Sequence, residues 1–173
     1  MKTLSFAVFA VVAFSCGAPG PDDTKCVRGT LEADLVHAGP LTGPEVDATT
    51  GKLKPGAYVL SSTYLKLTTS TKGQAAFQAS IKAITAVMDA QPGLAGYQLA
   101  TSDECLTART ISVWKDEASM YRFVGVQAHA DAVAQVSLTS RGGSVVTHWA
   151  DSETGASFEA AASHVASAVG PFF

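Results

Sequence analysis

The chain is poor in charge, in cysteine and in long apolar runs, and each shortage narrows what it can be. Only 16% of its residues are charged, 12 basic against 15 acidic, and the basic ones form no stripe. A nucleic-acid backbone finds no electrostatic footprint here, so nucleic acid is not expected as a partner. The 3 cysteines include no CxxC pair, which removes the usual zinc spacing, and no metal or other cofactor is expected. No GxSxG elbow, phosphate-binding loop, GxGxxG turn or HExxH helix occurs, so the common motif-borne chemistries are excluded. Apolar residues still make up 47% of the chain, enough to fill the core of one domain.

No apolar run reaches the ~20 residues that a membrane-spanning helix needs. The first apolar stretch, Leu4 to Phe14 behind Lys2, has instead the length of a signal-peptide core. Residues 1–15 are therefore expected to direct export. Ala13 and Ser15 followed by Cys16 resemble the lipobox of bacterial lipoproteins, which implies cleavage before Cys16 and acylation of its thiol. Residues 16–25, polar and rich in Pro and Gly, would then tether the domain to the cell envelope. The alternative is cleavage near Ala18, which leaves a soluble secreted or periplasmic protein. With Cys16 lipidated, Cys26 and Cys105 are an even pair in an exported protein and a disulfide candidate. Two buried free thiols are the rival reading.

Residues 26–56 form an N-terminal extension punctuated by Gly39-Pro40, Gly43-Pro44, Gly51 and Pro55-Gly56. Thr30 to Val36 alternates as a strand does. From residue 57 onward the pattern sharpens. Tyr58–Leu67, Leu94–Thr101, Ala108–Trp114 and Ser144–Trp149 read as strands. Phe77, Ile81, Ile84 and Met88 mark one face of a helix over Thr71–Ala90, which Pro92-Gly93 ends. A second helix starts at Asp116, breaks at Gly125 and resumes over Ala128–Val136. A third covers Ser157–Val169. The order predicts an α+β fold: a ferredoxin-like βαββαβ antiparallel sheet with helices on one face, over residues 57–173. Both faces of the strands look apolar, Val59 and Leu65 against Tyr58 and Leu60. A sheet with one wet face would alternate more cleanly. Covering the second face with another subunit predicts a homodimer.

Gln91-Pro92-Gly93-Leu94-Ala95-Gly96-Tyr97, Ile111 to Met120 with Trp114, and Phe123 to His129 together resemble the dimeric α+β-barrel superfamily, the antibiotic biosynthesis monooxygenase-like domains. The resemblance spans about Tyr58 to Trp149. It implies a small apolar or aromatic ligand held between sheet and helices, with cofactor-independent monooxygenase chemistry or heme degradation as enzymatic versions. The places of the heme-degrading branch's Asn, Trp and proximal His are held here by Thr63, Phe123 and Val133, which disfavours heme. For a cofactor-independent oxygenase a base must take the substrate's proton and donors must hold the anion. His129 is the candidate base and Arg109 the candidate anion stabiliser, with Thr63, Tyr64, Trp114, Phe123 and His148 as candidate substrate contacts. Against this stands a non-catalytic envelope protein that binds a ligand or dimerises. In that reading His129 caps locally, Trp114 packs the core and Arg109 lies at a surface or interface.

Overall fold

A computed structural model describes residues 21–170 of the chain. The expected export signal and Cys16 lie outside the described residues. The elements run β1 (Val36–His37), β2 (Ala57–Lys66), α1 (Thr71–Met88), β3 (Leu94–Ser102), β4 (Thr107–Trp114), α2 (Glu117–Val124), α3 (Gln127–Ala134), α4 (Val136–Thr139), β5 (Val145–Ser152) and α5 (Phe158–Ser167). The five strands form one antiparallel sheet in the order β1-β3-β4-β2-β5. The α+β fold read from the sequence is therefore present, with one short strand added at an edge.

Local chemistry sets the helix starts. Ser70, Asp116 and Ser157 each place a side-chain oxygen on the backbone N–H three residues on, capping α1, α2 and α5, which satisfies donors the helix itself cannot. The Pro92-Gly93 turn brings the chain from α1 into β3. Gly93 has φ +81°, and a Cβ there would strike the Ser119 side chain, so the position needs glycine twice over.

The sheet has two cores, one on each face. Met88 and Ile84 of α1 and Met120 and Phe123 of α2 pack on Leu94, Trp114 and Val59. Here the helices of the βαββαβ unit lie on one face, as expected. On the opposite face Tyr58, Leu60, Ile111 and Val113 meet Phe158 and Ala161 of α5, with Leu31, Leu35, Leu41, Val46 and Leu53 of the extension alongside. Tyr64 and Val145 meet Val165 of α5 further along. The second face is thus covered from within the chain. That face, whose expected exposure was the reason to predict a homodimer, is not left open.

Residues 26–56 act as a strap. Their alternating stretch is not a strand beyond Val36–His37: Thr30 and Leu35 bond locally, to Val27 O and Glu32 O. The alternation instead turns Leu31 and Leu35 onto the sheet. Cys26 and Cys105 are disulfide-bonded, with Cα atoms 5.5 Å apart. Closing a loop of this length contributes about 4 kcal/mol in the chain-entropy model. Asp34 accepts from Ser102 Oγ at 2.6 Å and from the N–H groups of Asp103 and Glu104, holding the β3–β4 turn. Arg141 donates to the carbonyls of Leu67, Cys105 and Leu106 and to the Asp23 carboxylate. The strap then runs along the β3 edge, where Ala38 N–H donates to Leu99 O and Thr42 and Tyr97 exchange backbone bonds.

Candidate functional site

The sequence candidates divide between the two faces. In the β2–β4 ladder Tyr64 stands opposite Arg109, while Ser61 faces Ser112 and Thr63 faces Thr110 one residue out of phase. Side chains alternate along a strand, so Tyr64 and Arg109 point to the strap side and Thr63 to the helix side.

Arg109 and Tyr64 therefore do not join His129, which corrects their expected roles. Arg109 is 2% exposed. Its Nε donates to Glu32 Oε2 at 2.7 Å, and its Nη atoms donate to the carbonyls of Arg28 and Thr30. Glu32 also accepts from Thr107 Oγ1 at 2.6 Å. The guanidinium lies over the Tyr64 ring, 4.5 Å from its centroid, and Tyr64 donates its hydroxyl proton to Cys26 O. Burial, with Glu32 nearby, pushes the Tyr64 phenol up to about 12. All three guanidinium nitrogens donate to the strap, which turns Arg109 away from the helix side. Trp114 is corrected too. It is fully buried, stacked on Phe123 at 5.2 Å, and its indole N–H donates to Ser112 Oγ. Its side chain belongs to the helix-side core with Met88, Leu94, Met120 and Phe123.

On the helix side the two central strands stay half-exposed at Val59, Ser61, Thr63, Leu65, Thr110 and Ser112, whereas their alternate residues are buried. The register gathers Ser61, Thr63, Thr110 and Ser112 into a square of hydroxyls in the middle of the sheet. Across the neighbouring strands His148 lies opposite Ser61, Val146 opposite Thr63, Tyr97 opposite Ser112 and Leu99 opposite Thr110. Ser61 donates to Thr147 O. Ser112 accepts from the Trp114 indole and Thr110 Oγ1 accepts from Thr63 N–H. Because those bonds use lone pairs, each of these two hydroxyls keeps its own proton to donate. The floor is thus an oxygen-binding surface set among apolar residues.

His129 stands at this side of the sheet, on α3 just after the Gly125 break. Its ring meets the edge of Phe123 at 4.9 Å, continuing the Trp114–Phe123 stack. Nδ1 lies 3.2 Å from Val124 O. A carbonyl only accepts, so Nδ1 carries the proton and Nε2 keeps a lone pair. Burial pushes its pKa below the ordinary histidine value, opposed only by the bond to Val124, which favours the neutral ring. His148, on the outermost strand, is 39% exposed at its side chain, 3.6 Å from the Glu117 carboxylate and edge-on to Tyr121. Val133, at the place of the heme ligand, is exposed aliphatic surface with no donor atom, so the residues present do not fit heme. Among the described residues no cluster of three or more His, Cys, Asp or Glu side chains could hold a metal.

Sequence reading missed Ser61, Thr110 and Ser112. Their signal was the Ser-x-Thr spacing in β2 and the Thr-x-Ser spacing in β4, hidden by the apolar residues at either end of each strand.

A family model described as antibiotic biosynthesis monooxygenase matches residues 64–135, less than half of the chain. The match begins inside β2 and ends after α3. It takes in His129 but not the strap, β5 or α5. Among solved structures, the Rv0793 protein of Mycobacterium tuberculosis is 15% identical over 54% of this chain and 93% of its own, with a TM-score of 0.46. A conserved protein from Methanosarcina mazei is 12% identical over 53% and 90%, with a TM-score of 0.47. SnoaB, a cofactor-independent oxygenase from Streptomyces nogalater, is 14% identical over 54% and 90%, with a TM-score of 0.39. No curated protein matches the chain.

Proposed function

We propose that the domain binds a small aromatic or apolar molecule on the hydroxyl floor, beneath α1–α3, and that it oxygenates that molecule without a cofactor. The observation that carries this reading is a half-buried histidine, its Nδ1 set against Val124 O, on the same side of the sheet as two hydroxyls with protons to give. In the proposed reaction His129 Nε2 takes the proton of a phenol or enol. Ser112 and Thr110 donate to the resulting anion, which gives an electron to O2. Recombination forms a C–O bond to carbon as a peroxide, and loss of water leaves a quinone. A phenol with a ring C–H and one O2 thus become a quinone and one water. The monooxygenase description of the matching family supports the class of chemistry.

The disulfide supports export to an oxidising compartment, and lipidation at Cys16 remains part of the proposal. A second reading, ligand capture without turnover, is favoured by one observation: Arg109, the one strong anion partner foreseen, is committed to Glu32 on the far face.

Oxygen consumption paired with thermal shift tests both, over quinols, polyphenols and heme, for the native protein and His129→Ala. The oxygenase reading expects oxygen uptake that falls by about 10²-fold or more in the variant. Stabilisation without uptake would leave the binding protein, and silence in both assays would overturn the site.

A further inference from the structure

The helix layer is fixed at its two ends and loose between them. At one end Met88 of α1 and Met120 and Phe123 of α2 pack on Trp114 and Leu94. At the other, a Cβ on Gly73 of α1 would strike Leu138 O, Thr68 N–H donates to Thr139 O, and Leu67 pairs with Ser140. Between these anchors lies α3, which buries none of its residues, whereas α1, α2 and α5 each bury three or more. Its main neighbours are the helices α1, α2 and α4. Val126, at its start, has no side-chain oxygen to cap it. Its side-chain bonds stay within the segment: Gln127 donates to Asp131, Gln135 to the Asp131 carbonyl, and His129 meets Val124 O. The helical run is interrupted on both sides, at Gly125-Val126 and at Gln135. A segment with so few buried apolar contacts opens at lower free energy than the core around it.

Beneath this layer the cover is uneven. Tyr97, Leu99 and Thr101 of β3 are half-buried on the helix side, whereas Val146, His148 and Ala150 of β5 are exposed there. We propose that α3 is a hinged lid that swings at Gly125 and Gln135, opening the hydroxyl floor on its β5 side and closing over a bound aromatic ligand. This deepens the function proposed above and rests on it. Because α3 carries His129, closing also delivers the base, so proton removal waits until the ligand is covered. The contact of His129 with Val124 O and with the edge of Phe123 is the latch. It fastens the first turn of α3 to the end of α2, across the hinge. The exposed row of β5 is the way in, with Tyr121 edge-on to His148 at the threshold.

Hydrogen exchange followed by NMR tests the lid, on the protein alone and with methylhydroquinone or catechin under argon, which prevents turnover. In the free protein the amides of Ala130 to Ala134 should exchange together while those of α1 and β4 stay protected. Gly125→Ala should slow them about two- to five-fold, by removing backbone freedom that the open state uses. The substitution fits the closed state, since Gly125 has φ −82° and a Cβ there would meet nothing nearer than Arg122 O at 3.5 Å. Either phenol, once bound, should slow the same amides and leave those of α5 unchanged. Exchange of α3 only in step with β4, or an unchanged rate in Gly125→Ala, would overturn the lid. A phenol that raises the thermal midpoint yet leaves α3 exchange as it was would also overturn it, while the floor stands as a site without a gate. No thermal shift with either phenol would remove the floor as a site, and the lid with it.

Discussion

The two faces of one sheet have opposite designs. On the strap side Leu60, Val113 and Val145 are fully buried, and even the charged pair Glu32 and Arg109 is sealed at 2% side-chain exposure each. On the helix side the same two central strands keep Ser61, Thr63, Thr110 and Ser112 within reach of solvent. The first face spends its polar groups on each other and gives stability. The second leaves hydroxyl protons and a histidine lone pair uncommitted, which is what binding or catalysis needs. Alternation along β2 and β4 lets one backbone serve both ends.

The difference can be broken most strongly on the closed side. Glu32→Ala leaves the Arg109 guanidinium buried without its carboxylate and should cost about 3–5 kcal/mol in chemical denaturation. An effect no larger than that of an exposed pair would show that the strap is loosely held. Replacing Cys26 and Cys105 together by Ser should cost about 2–5 kcal/mol, while ligand affinity on the other face stays unchanged at temperatures where the variant is folded.

Smaller effects sharpen the open side. His129 has its pKa held below 6.5 by desolvation, so the folded protein binds fewer protons at this ring than the unfolded chain does. Its contribution to stability is whole above the unfolded value and is lost as pH falls through the folded one. The acid limb of any kcat/KM profile should accordingly lie below pH 6.5 and vanish in His129→Ala. Thr63→Ala should change stability by no more than about 0.5–1 kcal/mol. Thermal shift with a bound quinol should nevertheless shrink, whereas Leu41→Ala on the strap would show the reverse pattern.

Strand and helix positions were legible because the apolar spacing and the Pro92-Gly93 stop agree with the fold. Cys26–Cys105 followed from counting cysteines once export was expected. Which face each candidate occupies was not legible, since Arg109 and Thr110 are neighbours in sequence and lie on opposite sides of the sheet. The strap escaped for a related reason: Leu31, Glu32 and Leu35 read as a strand when their alternation serves a sheet face. Glu32 as the partner of Arg109 is separated from it by the whole of β2, α1 and β3, and no local pattern joins them.

The most direct test of the account is an amide NMR titration of the protein with a quinol that stabilises it. Shifts should gather at Ser61, Thr63, Thr110, Ser112 and the start of α3, and leave Leu31 to Leu35 and α5 still. Shifts confined to the strap and α5, or none from any ligand of the panel, would contradict the division of the sheet into a closed face and a working one.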